Sequence, residues 1–132
     1  GAGLGGEVKV TARAKSSSVG ACHCNICRGW GGGPLLAIEC DADVKFEGEA
    51  QIKVFNSSDW AERGFCSQCG THLFYRLKKG GLYALPVGLF GEQALVFDHQ
   101  VFIDEKPGWY EFSNPTKNLT GAEVFAAYAP EA

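Results

Sequence analysis

Apolar and polar residues alternate in short stretches punctuated by turn signals about every eight to twelve positions, the rhythm of an all-β domain. Glu7 to Arg13 puts Val8, Val10 and Ala12 on one face and is predicted as a half-buried strand. Ser16-Ser17-Ser18 turns the chain, and Val19 to Cys22 brings the first thiol to a strand end. Leu35 to Cys40, Val44 to Glu47, Ile52 to Asn56, Thr71 to Leu77, Leu82 to Gly88 and Gln100 to Ile103 predict further strands, several rich in β-branched or aromatic residues. Lys79-Gly80-Gly81 reads as a hairpin turn, and Trp30-Gly31-Gly32-Gly33-Pro34 as a loop. Helix is confined to one short turn over Gly91 to Ala94 and to a terminal helix running to about Tyr128. That helix opens on the capping box Thr120-Gly121-Ala122-Glu123 and turns Val124, Phe125 and Tyr128 to one face for packing.

A chain of 132 residues is long enough for one core that buries about two thirds of its unfolded surface, and residues 1–132 are expected to form a single domain. Twelve basic against fifteen acidic residues give a net charge of −3. With no Lys/Arg stripe, a nucleic-acid partner is not expected. No apolar run reaches the roughly 18 residues that span a bilayer, and no charged-then-apolar leader is present, so the expectation is a cytoplasmic protein without a membrane partner.

The chemistry concentrates in the cysteines. Cys22-His23-Cys24-Asn25-Ile26-Cys27 packs three thiols into one tight turn, a spacing suited to gripping a zinc ion. Structural zinc sites close with four protein ligands, whereas sites of chemistry keep three and leave one position open. A redox disulfide or plain buried side chains are the alternatives for this stretch. A second pair, Cys66-Ser67-Gln68-Cys69-Gly70, brings the clustered cysteines to five, one too many for a single tetrahedral ion. Cys40, alone in an apolar run, reads as a small buried hydrophobe. Such clustering suits reduced thiolates better than a secreted disulfide framework.

Three ordered blocks carry a family resemblance over nearly the whole chain: Val19-Gly20-Ala21-Cys22-His23-Cys24-Asn25-Ile26-Cys27-Arg28-Gly29-Trp30, Arg63-Gly64-Phe65-Cys66-Ser67-Gln68-Cys69-Gly70-Thr71, and Phe102-Ile103-Asp104-Glu105-Lys106-Pro107. Together they resemble the glutathione-dependent formaldehyde-activating enzymes. The resemblance implies a mainly β, Mss4-like zinc-binding fold with two zinc ions and a short C-terminal helix. It assigns a catalytic zinc with an open position to Cys22, Cys24 and Cys27, and half of a structural zinc site to Cys66 and Cys69. The other half would be two cysteines near the amino terminus, where this chain has Gly3 and Gly5. Two thiolates alone do not make a stable structural site, so Cys66 and Cys69 are expected to lack a fully occupied zinc. His72, three residues beyond Cys69, is one substitute donor to weigh; ligands lent by a neighbouring subunit of a homodimer are another.

The substrate implied is glutathione, whose sulfur adds to formaldehyde to give the S-hydroxymethyl adduct; the reverse is carbon–sulfur cleavage. Coordination lowers a thiol's pKa, which makes a thiol the natural fourth ligand of a three-thiolate zinc. Glutathione's carboxylates call for cations, for which Arg28 and Arg63 are candidates. His23 either relays a proton or orients the turn, and Trp30 either walls the pocket or fills core. A noncatalytic zinc-containing interaction module and a thiol redox protein using Cys66 and Cys69 are the competing functions.

Overall fold

Val8 and Val10 are both buried, and the alternating run they belong to becomes strand β1 (Lys9–Ala14) in the computed structural model, which describes residues 2–91 and 93–128. The described chain is mostly β. It continues through β2 (Ser18–Cys22), α1 (Asn25–Gly31), β3 (Leu35–Glu47), β4 (Ile52–Asn56), β5 (Ala61–Cys66), β6 (His72–Leu77), β7 (Tyr83–Pro86), β8 (Val96–Val101), β9 (Lys117–Leu119) and α2 (Gly121–Tyr128). Two compact units emerge, drawn from the described parts of residues 1–17 with 38–94 and of residues 18–37 with 95–132.

In the first unit the strand order is β4-β5-β6-β7-β3, with β1 also paired to β3. β4, β5, β6 and β7 run antiparallel in turn, with Ile52 opposite Cys66, Arg63 opposite Tyr75 and Tyr75 opposite Ala84. Leu73 and Leu85 are fully buried, and Phe46, Phe74 and Tyr83 form an aromatic cluster with centroids 5.2–6.0 Å apart. The Lys79-Gly80-Gly81 turn is present: Gly80 and Gly81 take positive φ, and Leu77 donates its N–H to Leu82 O. Glycine alone adopts that backbone without strain.

The second unit sets β2 antiparallel to the start of β3 (Cys22 opposite Leu35) and parallel to β8 (Cys22 opposite Val101), with β8 parallel to β9. The capping box forms as read from the sequence: Glu123 N–H donates to Thr120 Oγ1 at 3.2 Å, and Thr120 N–H to Glu123 Oε1 at 3.0 Å. Phe125 meets Phe102 edge-on. The Tyr128 side chain lies outside the described residues.

The structure departs from the periodic reading at several places. Leu35–Cys40 and Val44–Glu47 are one strand of 13 residues, because a register shift opposite Ala12/Ala14 carries pairing past the exposed Asp41–Asp43. β5 escapes an alternation test because buried Arg63 and Gly64 interrupt its apolar face. β9 is too short to show a period. Val96–Val101 begins earlier than predicted and ends where Phe102 takes a left-handed backbone. Residues 25–31 form a helix where none was expected, its last two residues, Trp30 and Gly31, lying in the stretch predicted as a loop; two glycines are tolerated because both helix ends are capped. A 3-10 turn occurs at Val87–Leu89, ahead of the stretch predicted to turn, and two others at Glu49–Gln51 and Ile103–Glu105; residue 92 lies outside the described residues. No helix among the described residues is long and apolar enough to cross a membrane.

Gly64 lies directly against the Phe74 ring on the neighbouring strand, where a β-carbon would collide with it. Gly64→Ala should therefore lower stability by about 1–3 kcal/mol, read as a lower urea midpoint at unchanged slope.

Candidate functional site

The cysteine turn is built by a change from strand to helix. β2 ends at Cys22, and His23 carries the parallel pairing one residue further, its N–H donating to Val101 O at 3.2 Å. Cys24 is then the N-cap of α1, with extended backbone and its Sγ accepting the Cys27 N–H at 3.3 Å. Gly32, left-handed at φ 84°, closes the helix by donating its N–H to Arg28 O. Cys24 and Cys27, three apart on one helical turn, thus face the thiol delivered by the strand end. The three Sγ atoms lie within 4.8 Å of one another, Cys27 buried and the other two half-buried. The neighbouring thiols of Cys24 and Cys27, and then burial, push the Cys22 thiol far above its ordinary range. Crowded like charges resist joint ionisation, and a cation reverses that sense.

A hydrogen-bond chain fixes the turn from behind. His23 is fully buried; its Nδ1 lies 2.6 Å from the Tyr110 hydroxyl and its Nε2 2.7 Å from Gln100 Oε1. Gln100 Nε2 donates to Thr116 Oγ1, and Thr116 to Asn118 Oδ1. Gln100 Oε1 only accepts, so His23 Nε2–H donates to it; in the neutral ring Nδ1 then accepts the Tyr110 O–H. Burial lowers the His23 pKa, assisted by Lys106 and Arg28 and opposed by the Gln100 bond. Arg28 Nε donates to His23 O at 2.9 Å, Glu105 accepts the Asn25 N–H at 2.9 Å, and Lys106 sits over the Tyr110 ring. Beside this network a groove of about 410 Å³ is lined by Gln100, Lys106, Glu111, Phe112, Asn114 and Asn118 among others. Trp30 is half-buried near the end of α1.

The second thiol pair belongs to the first unit. Cys66 ends β5 fully buried, and Gly70, at φ 78°, lets the turn close with its N–H on Cys66 O. Half-buried Cys69 lies 3.1 Å from Thr71 Oγ1. The Thr71 hydroxyl first, then the Thr71 and Gly5 amides, push the Cys69 thiol down to about 7. The Glu7 carboxylate and the two sulfurs lie within 4.8 Å of one another, and His72 is not part of that cluster. Arg63 is buried in β5 of the same unit with its guanidinium 4.9 Å from the Tyr75 ring centroid.

Residues 1–105 match the family model described as glutathione-dependent formaldehyde-activating enzyme. The chain belongs to this family. An uncharacterized lyase of Schizosaccharomyces pombe is 38% identical over 105 residues, which cover 78% of this chain and 77% of that protein. A Rhodobacter sphaeroides protein of known crystal structure shares the fold at a TM-score of 0.62 and 18% identity, covering 70% of this chain and 88% of that one.

Each cysteine cluster has a donor set able to hold a metal ion. Cys22, Cys24 and Cys27 fit a three-thiolate zinc, all three donors being soft and convergent. Cys66 and Cys69 do not fit a four-thiolate one: Gly3 and Gly5 carry no donor, and the Glu7 carboxylate fills the space where a side chain at Gly5 would project.

Tyr110, Gln100 and Glu7 are residues that motif reading passed over. Their only sequence signal was a polar side chain inside a predicted strand or beside an aromatic run, and their partners are 59 to 87 residues away in sequence.

In reduced, metal-stripped protein, alkylation of Cys69 should rise with pH to half its maximum near pH 7 and level off above, because only the thiolate reacts. Cys40, buried and with its thiol pKa raised, should stay inert over the same range, as read by peptide mass spectrometry.

Proposed function

We propose that this chain is a zinc-dependent carbon–sulfur lyase that makes and breaks the adduct of a thiol with an aldehyde, with S-hydroxymethylglutathione as its substrate. The observation that carries this reading is the donor count: three convergent thiols on one turn, and no fourth protein donor in that cluster among the described residues. Family membership and the lyase name of the fission-yeast relative support the same class. In the forward direction the thiol sulfur bonds to the carbonyl carbon and the thiol proton ends on the carbonyl oxygen; cleavage reverses both, and neither direction needs an oxidant. Zinc held by Cys22, Cys24 and Cys27 would supply a positive centre able to lower an incoming thiol's pKa.

The chain's own residues then have separable roles. His23 is a positioning residue: neutral and bonded at both ring nitrogens, it locks the backbone between Cys22 and Cys24. Arg28, anchored through Nε, keeps its terminal nitrogens for a substrate carboxylate, and Trp30 walls the approach to the thiols. Arg63, buried against Tyr75, is poorly suited to the same task. The reduced thiols suit a cytoplasmic setting, with glutathione rather than a nucleic acid or a membrane as partner.

Cys27→Ser should lose the tightly bound zinc equivalent together with adduct cleavage, as read by elemental analysis and formaldehyde release. In cobalt-substituted protein, millimolar glutathione should add intensity to the sulfur charge-transfer bands. A spectrum unchanged by glutathione would remove it as the substrate, and a site with no exchangeable ligand would favour the interaction module. Arg28→Gln should raise the KM for the adduct by about 10- to 100-fold, the value of one charge-assisted hydrogen bond, with a smaller change in kcat.

A further inference from the structure

The cluster around Cys66 and Cys69 points to a second metal site with a donor set unlike the first. Three observations meet at one point. The Glu7 carboxylate and the sulfurs of Cys66 and Cys69 lie within 4.8 Å of one another. A β-carbon on Gly3 would lie 3.6 Å from Cys69 Sγ, so the amino-terminal turn is pressed against this thiol. A β-carbon on Gly5 would collide with the Glu7 carboxylate, which therefore occupies the space between that turn and the cysteine hairpin.

The backbone holds the three donors in register. Gly3 donates its N–H to Val8 O and Gly6 its N–H to Gly3 O, folding residues 3–8 into a tight loop that presents Glu7. Leu4 N–H donates to Thr71 Oγ1 at 2.9 Å, tying that loop to the hairpin just past Cys69. On the hairpin, Cys66 N–H donates to Thr71 O and Gly70 N–H to Cys66 O. The Cys-X-X-Cys-Gly turn is thus closed, and Gly70 takes the left-handed backbone this requires without strain.

We infer that Glu7, Cys66 and Cys69 form a divalent-metal site of carboxylate–dithiolate type, with its fourth position open and an affinity for zinc below that of the three-thiolate turn. One carboxylate and two thiolates together carry three negative charges, match the O and S donors that zinc accepts, and lie at the mutual spacing of ligands around one ion. The glycines at positions 3 and 5 leave the carboxylate, rather than a further sulfur, as the donor arriving from the amino-terminal loop. The site shares no residue with the turn to which the lyase reaction is assigned, and its test does not depend on that reaction.

The test titrates free zinc against reduced, metal-stripped full-length protein and measures alkylation of each cysteine by peptide mass spectrometry. Cys69, half-buried, should become protected as zinc rises, at a higher midpoint than Cys22, Cys24 and Cys27. Glu7→Gln should move the Cys69 midpoint to higher zinc by at least about tenfold and leave the three-thiolate midpoints in place. Gly3→Cys, which adds a thiol beside Cys69, should move the same midpoint to lower zinc by about tenfold or more. Retained protection of fully buried Cys40 in metal-free Glu7→Gln reports that the variant is folded; if it is not, Gly3→Cys decides alone. Failure of zinc to protect Cys69 in the parent chain, an unshifted midpoint in folded Glu7→Gln, or an unshifted midpoint in Gly3→Cys would each overturn the proposal.

Discussion

Three thiols within 4.8 Å of one another, one of them buried, form an arrangement that is electrostatically unstable once ionised and is made stable by a cation. Everything near the turn serves to hold that arrangement in place. A strand end fixes Cys22, a helix cap fixes Cys24, and the first helical turn fixes Cys27, so each sulfur is anchored by a different backbone device. Freedom lost in the backbone is freedom the sulfurs do not need to lose when a ligand arrives, the general advantage of a preorganised site.

The block Phe102 to Pro107 braces the same turn. Glu105 takes the first helical N–H after the cap, Asp104 takes the Gly121 N–H at the start of α2, and Lys106 covers Tyr110, which in turn bonds His23. Phe102, forced into a left-handed backbone that a bulky residue rarely adopts, marks where β8 stops and these three side chains diverge. A segment that reads as a family signature is, physically, a clamp joining the two helices of its unit.

The two cysteine clusters solve the same problem with different backbones. The first uses a strand-to-helix transition and a buried neutral histidine; the second uses a glycine-closed hairpin and a carboxylate from a separate loop. Their electrostatics differ accordingly. Crowding raises the Cys22 thiol, whereas hydroxyl and amide donors lower that of Cys69. The first turn therefore depends more on a bound cation for its ionisation than the second does.

Local chemistry was legible from the chain alone. The Cys22-Cys24-Cys27 spacing determined that three sulfurs converge, Thr120 and Glu123 determined where the last helix starts, and the glycines after Lys79 determined a hairpin, because each is settled within a few residues by backbone sterics and hydrogen bonding. The strand at Lys9–Ala14 followed from period-two burial, and several others from their β-branched and aromatic residues. What the tertiary structure decided were the partners of buried polar groups. Nothing near His23 in sequence announces Tyr110 or Gln100, and nothing near Cys66 announces Glu7, since each of these partners comes from a segment 59 to 87 residues away. The short helix at Asn25–Gly31 belongs to the same class: its glycines argue against helix locally, and caps from Cys24, Glu105 and Gly32 supply what its own residues lack.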